Sequence, residues 1–288
     1  MRGGPGGRGR RRHLLTPGVG VAVGVLLVVM AWAAAPHWMT SANPLRGRLG
    51  ENFRPTVGLT GGSAAHFLGT DSLGRDVFAR IVYGARPSLL VGGTAVVLAG
   101  LVGIMAGLLA GYLGRRWDLI LTGLADVQVG FPFLLMAITL AAIFGAGLNT
   151  AIVALVLTGW VPYARLTRAE LLSLREQAFV QAGQALGASP GRVMLRHILP
   201  NLAPTLTVVA TFSFAQMLIL ESGLSFLGLG IQPPQPSWGS MLSDARSYLM
   251  TAWWAGVFPG LAIVATVLSV NVIGERLRDV LDPRLRGL

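Results

Sequence analysis

The chain has 288 residues, of which 53% are hydrophobic and 12% are charged. That charged fraction is about half of what soluble domains carry, so the chain cannot cover itself with polar surface in water. It has no cysteine, which excludes disulfides, thiolate nucleophiles and cysteine metal sites. We predict an all-α integral membrane protein with one membrane domain, because no polar block is long enough for a second folded domain.

The net charge of +11 is concentrated at the ends of apolar runs. Five arginines lie within the first twelve residues, and most of the others flank apolar segments. This distribution is typical of loops held on the cytoplasmic side of a membrane. Nucleic-acid binding is disfavoured, because basic patches interleaved with aromatic residues are missing.

Residues 1–17 are rich in glycine and arginine and are predicted to form a disordered basic cytoplasmic tail. The uncharged run that follows could be a cleaved signal peptide, since it ends in Ala33-Ala34-Ala35. It is longer than a signal-peptide core, however, and five more apolar runs follow it. We therefore expect residues 18–39 to form a retained first transmembrane helix.

Five further spans are predicted over residues 88–113, 127–144, 150–163, 202–229 and 253–273. Pro132 lies inside the third span and Pro162 lies near the end of the fourth, where neighbouring helices can satisfy the freed carbonyls. We expect an extracytoplasmic loop over 40–87, a transmembrane core over 88–274 that holds these five spans, and a cytoplasmic tail over 275–288.

The orientation follows from the positions of the arginines. With the N-terminus inside, the cytoplasmic segments contain sixteen of the 23 arginines. Six of the remaining seven lie in one long loop, where translocation depends less on charge. We expect both termini in the cytoplasm, and residues 36–87 and 230–252 outside.

The outer loops contain helix-capping and aromatic residues. Asp71 or Asp76 is expected to cap a short helix that starts at Val77. Trp238 and the Trp253-Trp254 pair are most simply interpreted as aromatic residues at the membrane interface. Small residues at near-fourfold spacing, including Gly103 and Gly107, predict close helix packing.

The segment 164–200 is too apolar for a linker and too charged for a membrane span. Helix-forming residues fill 164–186, Gly187 is a C-terminal helix signal, and Ser189-Pro190 begins a second helix. We expect a helix, a break and a helix, closed by Pro200 before the fifth span. Such a projection could fit into another protein, although an amphipathic hairpin without a partner is also consistent with this composition.

This segment resembles the EAA signature of ATP-binding-cassette importer permeases, through Gln181-Ala182-Gly183-x-x-x-Gly187 and, nine residues later, His197-Ile198-Leu199-Pro200. Two positions depart from that signature, since Gln181 replaces its glutamate and Gly183 replaces its second alanine. The stretch from Arg196 to Asn201 is similar to the form found in the peptide and nickel subgroup.

Three other stretches resemble the C-type permease subunit of the dipeptide, oligopeptide and nickel family: residues 69–89, 221–239 and 258–283. The resemblance extends over about 66–286, with departures at Gly123 and at Glu275-Arg276. It implies the permease fold of type I ABC importers and a place in a bacterial cytoplasmic membrane.

The resemblance also implies function. The positions expected to couple the permease to an ATPase are Gln181, Ala182, Gly183, Leu186, Gly187, Ala188, Ser189, His197, Leu199 and Pro200. The chain has no lysine and no phosphate-binding Gly-x4-Gly-Lys motif, so ATP and Mg²⁺ are expected on partner subunits and no cofactor on this chain. Implied partners are a second permease subunit, two ATPases, an extracytoplasmic binding protein, membrane lipid and a peptide substrate. Nickel is the alternative substrate.

Rival functions find less support. An intramembrane hydrolase needs a Ser–His or Asp–Asp pair at membrane depth, yet the four histidines all lie outside the apolar runs, and Asp126 has no second aspartate at a similar depth. A stand-alone channel leaves the 164–200 projection unexplained. We predict no catalytic or metal-binding residue. Glu221 in the fifth span is either a structural hydrogen-bonding group or a polar lining of the transport pathway.

Overall fold

The computed structural model describes residues 17–281, which form helices joined by loops. The expected tail over 1–17 lies, except for Pro17, outside the described residues, as do residues 282–288. The α-helices are α1 (Pro17–Ala34), α2 (Pro36–Met39), α3 (Val77–Leu113), α4 (Arg115–Gly130), α5 (Phe133–Phe144), α6 (Leu148–Leu174), α7 (Ala178–Ala185), α8 (Pro190–Arg192), α9 (Leu199–Phe226), α10 (Trp238–Ala245) and α11 (Trp254–Leu281).

Within residues 17–281, five helices are long and apolar enough to cross a membrane, and a bent pair brings the number to six. The bent pair is α4 and α5, which meet at 92°. A single straight span over 127–144 is therefore wrong. The chain breaks at Phe131-Pro132 because proline disfavours helical backbone at the residue before it and lacks an N–H.

The helix α3 begins at Val77, eleven residues before the predicted start of the second span. Its N-terminus is capped by Asp76, whose carboxylate accepts a hydrogen bond from the Ala79 amide at 2.7 Å, which confirms one of the two predicted caps. The short helix expected there is continuous with the span, because Pro87 is accommodated inside α3.

Small residues bring α3 and α6 into close contact. A Cβ atom on Gly103 would lie 2.2 Å from the carbonyl oxygen of Trp160, and one on Gly107 would lie 2.5 Å from that of Ala164. No larger side chain fits between these backbones without moving a helix. The predicted close packing thus occurs within this chain, between its second and fourth spans.

The helices α8 and α9 are joined by a π-helical turn over Val193–Ile198, so that one helix runs from Pro190 to Phe226. The predicted break at Pro200 is absent. The wider π turn accommodates the proline ring, and the Asn201 side chain donates a hydrogen bond to the carbonyl of His197 at 2.6 Å. The membrane end of this helix, Phe226, lies three residues before the predicted one.

Residues 40–76 and 227–253 lie together at one end of the bundle, which we call the cap end. There Asp71 forms ion pairs with Arg75 and Arg80, and Arg80 also reaches Asp244 at 3.0 Å. Burial by itself would raise the pKa of the Asp71 carboxyl. The Arg80 guanidinium, together with the amide and guanidinium of Arg75, outweighs burial and holds that pKa below its usual range.

Two tryptophans connect the cap end to the long helices. Trp238 and Trp254 are buried, which corrects their interpretation as interface aromatics, whereas Trp253 is 42% exposed. The indole of Trp238 donates to the carbonyl of Ile81, and that of Trp254 donates to the carbonyl of Thr70, each at 3.0 Å. Both rings therefore hold the cap end against the bundle, and their buried indole N–H groups remain hydrogen-bonded.

Candidate functional site

The opposite end of the bundle has a helical hairpin over residues 175–198, which we call the hairpin. The expected helix over 164–186 is interrupted, because its first part, up to Leu174, belongs to α6. After a turn at residues 175–177, α7 runs from Ala178 to Ala185 and α8 begins at Pro190. The predicted second helix start is confirmed, and the segment that projects is shorter than 164–200.

The tip of the hairpin is closed by a Schellman motif at the end of α7. Gly187 has φ of +81°, as predicted, and its amide donates to the carbonyl of Gln184 at 2.9 Å. The amide of Ala188 donates to the carbonyl of Gly183 at 3.1 Å. This pattern needs a left-handed residue at the position of Gly187, where a side chain is strained even in open space.

One face of the hairpin packs on the bundle. Val180, Val193 and Ile198 are completely buried and form a cluster with Leu171 and Leu202. The predicted coupling residues lie mainly on the other face and at the tip, where Leu186 is 88% exposed. Phe179 and Leu195 are 44% and 64% exposed as well, so the hairpin carries several exposed large apolar side chains, as expected of a surface that another protein covers.

The predicted coupling residues are distributed over both arms of the hairpin and the start of α9. Those on α7 and at the tip are Gln181, Ala182, Gly183, Leu186, Gly187, Ala188 and Ser189, and those on the second arm and α9 are His197, Leu199 and Pro200.

The two arms of the hairpin meet at Gly183 and His197. A Cβ atom on Gly183 would lie 3.4 Å from Nε2 of His197, which is an ordinary contact. The alanine of the EAA signature would therefore fit here without rearrangement. The departure at Gly183 leaves the hairpin geometry intact.

Ion pairs between α4 and α6 brace the helix that leads into the hairpin. Arg168 makes two hydrogen bonds to the Asp118 carboxylate, at 2.5 and 2.6 Å, and Arg165 pairs with Asp126 at 2.7 Å. Sequence reasoning missed both pairs. A basic and an acidic residue that lie 39 or 50 positions apart carry no local signal of their contact.

Glu221 lies in α9 and is completely buried. Its carboxylate accepts a hydrogen bond from the Ser225 hydroxyl at 2.7 Å, and that hydroxyl accepts one from the Ile231 amide at 3.1 Å. Glu221 thus ties the end of α9 to the loop that follows it. This geometry supports the structural interpretation, while the pathway role of Glu221 stays a prediction.

Among residues 17–281, no group of three histidine, aspartate or glutamate side chains is arranged to hold a metal ion. His66 lies between two carboxylates, with Nδ1 2.8 Å from Asp76 and Nε2 3.2 Å from Glu51. The three side chains brace the capped start of α3.

Curated relatives match most of this chain. The dipeptide transport system permease protein DppC of Alkalihalophilus pseudofirmus is 44% identical over 81% of this chain and 77% of the relative. The di/tripeptide transport system permease protein DppC of Pseudomonas aeruginosa is 41% identical over 91% of this chain and 86% of the relative. The glutathione transport system permease protein GsiD of Escherichia coli is 39% identical over 97% and 89%.

Solved structures show the same fold. A chain of the MetNI methionine ABC transporter in an inward-facing conformation superposes with a TM-score of 0.58 at 18% identity, over 70% of this chain and 96% of that chain. The permease fold of type I ABC importers is thereby confirmed. Residues 103–287 match the family described as the binding-protein-dependent transport system inner membrane component. With the hairpin inside the matched region, the chain belongs to this family of membrane-embedded ABC importer permeases.

Proposed function

We propose that this chain is the permease subunit that carries di- and oligopeptides across the bacterial cytoplasmic membrane in an ATP-driven importer. Its family membership supports the role of an importer permease. Relatives named for dipeptide, di/tripeptide and glutathione transport support a short peptide as the substrate. Peptides are preferred to nickel because these relatives are named for peptide-like substrates.

The observation that carries this proposal is the anchored hairpin with its exposed tip. The hairpin fits a cleft on an ATPase subunit, with Leu186 and the Gly187 turn as the inserted part. Because the second arm continues without a break from Pro190 to Phe226, a displacement of the tip reaches the cap end through one rigid helix. Closure of the ATPases around ATP would tilt this helix and so alternate access to the pathway.

In this assembly the chain itself is not an enzyme and binds no cofactor. ATP and Mg²⁺ are bound by two ATPase subunits, since the sequence has no lysine for a phosphate-binding loop. A second permease subunit completes the pathway, and a binding protein delivers the peptide to the cap end. The cap end faces the extracytoplasmic side, while the hairpin and both termini face the cytoplasm.

Reconstitution tests this function directly. The complex is purified with its companion chains and placed in proteoliposomes, and uptake of radiolabelled alanyl-leucine is followed with the loaded binding protein outside and ATP inside. We expect uptake only with ATP. Uptake without ATP would indicate a channel, and no uptake of any short peptide would refute the peptide assignment.

A substitution at the hairpin tip tests the coupling role. Gly187→Val forces a β-branched residue into φ of +81°, at a cost of about 1–2 kcal/mol, and displaces the tip. We expect normal membrane insertion and loss of peptide-stimulated ATP hydrolysis. Gly145→Val is the matched control, because Gly145 has φ of +83° and equally open surroundings in the turn between α5 and α6. Equal hydrolysis by both variants would contradict the coupling role.

A further inference from the structure

A cavity of about 610 Å³ lies at the cap end, apart from the hairpin and from Glu221. Its walls come from the loop that follows α2, from one face of the first turns of α3, from the start of α6 and from the loop before α10. A pocket of this volume lies within the usual range of small-molecule sites, and it would hold a short peptide.

Besides the Ser41 hydroxyl, three larger polar side chains line this cavity without a partner among residues 17–281. Tyr83, Arg86 and Gln235 make no hydrogen bond or ion pair within residues 17–281. By contrast, two arginines that precede Arg86 in the chain, Arg75 and Arg80, both have guanidinium groups paired with Asp71. Arg86 is therefore an unneutralised cation at a concave surface, and an arginine fork suits a carboxylate.

The cavity contains no acidic side chain, and Arg86 is its one charged lining residue among the described positions. An ammonium group would find no counter-charge here, whereas a carboxylate would. The rest of the wall is largely apolar, with Pro44, Leu45, Pro87, Leu90, Leu148 and Pro236. This combination suits an anionic end group joined to an apolar side chain.

We propose that the cavity is a subsite for the C-terminal residue of a short peptide, with Arg86 bound to its terminal carboxylate. Tyr83 and Gln235 hydrogen-bond the last peptide group, and the apolar wall receives the side chain. This inference rests on the proposed function, since it names the part of the substrate that the cap end recognises. It assigns Arg86 as a substrate-binding residue, separate from the hairpin.

Cysteine protection tests this subsite without relying on transport. Because the chain has no cysteine, Ser41→Cys places a single, nearly isosteric thiol in the cavity wall. Labelling of this chain by a membrane-impermeant maleimide is measured in the assembled complex, with saturating alanyl-leucine or alanyl-leucinamide. We expect alanyl-leucine to slow labelling about tenfold and the amide, which lacks the carboxylate, to have little effect.

Two arginine variants complete this design. Arg86→Gln in the Ser41→Cys background should abolish the protection, and Arg86→Lys should retain part of it because a point charge remains. Arg46→Gln is the matched control, since Arg46 is an exposed arginine of the same loop region that does not line the cavity. It should leave the protection unchanged.

Several outcomes would overturn the subsite. Equal protection by both peptides, or protection that survives Arg86→Gln, would show that Arg86 does not bind the terminal carboxylate. Slower labelling in phosphatidylglycerol vesicles than in phosphatidylcholine vesicles, without any peptide effect, would assign the anion to a lipid headgroup with net negative charge. A thiol that the maleimide cannot reach would show that a partner chain fills the cavity.

Failure of the subsite is distinguishable from failure of the proposed function. A complex that imports alanyl-leucine with ATP but shows no carboxylate-dependent protection refutes the subsite alone. A complex that imports no short peptide refutes the proposed function.

Discussion

Replacement of Asp71 by asparagine should destabilise the cap end far more than the same change at an exposed ion pair. The Asp71 carboxylate accepts hydrogen bonds from Arg75 and Arg80 and from the amides of Leu73 and Arg75. The Arg80 side chain is only 5% exposed, so in Asp71→Asn a buried guanidinium keeps Asp244 as its single counter-charge. Removal of one partner of a buried pair costs about 3–5 kcal/mol.

The matched control is Asp126→Asn, which breaks the pair with Arg165. Their side chains are 70% and 52% exposed, so the loss should stay below about 1 kcal/mol. At about 2–4 °C per kcal/mol, Asp71→Asn should lower the unfolding temperature by about 10 °C, and Asp126→Asn by less than about 4 °C. Tryptophan fluorescence of the purified complex during heating measures both shifts.

Two results would refute this reasoning about the cap end. Equal shifts for the two variants would show that burial of the Asp71–Arg80 pair does not decide its contribution. The pH dependence provides the second result. Because the folded state lowers the pKa of Asp71, its stabilisation is complete above the unfolded value of about 3.9 and is lost as the pH falls through the folded value. Wild-type stability should therefore fall more steeply below about pH 4 than that of Asp71→Asn, and parallel curves would contradict the network.

Three further predictions follow from the helices and their orientation. If Glu221 is structural, Glu221→Gln should be tolerated and Glu221→Ala should lower the unfolding temperature of the complex, whereas normal melting of both with reduced uptake would favour the pathway role. Gly107→Ala should destabilise by about 1–3 kcal/mol because its Cβ meets the α6 backbone at 2.5 Å, while Gly123→Ala, with open space around it, should be neutral or stabilising in the same denaturation assay. A cysteine at position 235 should react with an impermeant reagent in intact cells, and protection there together with labelling of a cysteine at position 187 would reverse the proposed orientation.

The sequence alone predicted the features that depend on local composition. About six apolar runs of sufficient length predict the spans because the bilayer is a solvent of fixed thickness. The cap at Asp76 and the left-handed turn at Gly187 were predictable because each concerns the backbone within a few residues. The hairpin was recognisable for the same reason, through its helix formers, its glycine break and its characteristic spacing.

Only the tertiary structure decided the features that depend on distant partners. Burial of Trp238 and Trp254 requires carbonyls 157 and 184 positions away, and the contact of Arg80 with Asp244 spans 164 positions. The bend between α4 and α5 and the long starts of α3 and α9 likewise depend on which neighbouring helices bury each turn. Local propensity is encoded in adjacent residues, whereas these contacts exist only once remote segments have packed, so no pattern in the sequence marks them beforehand.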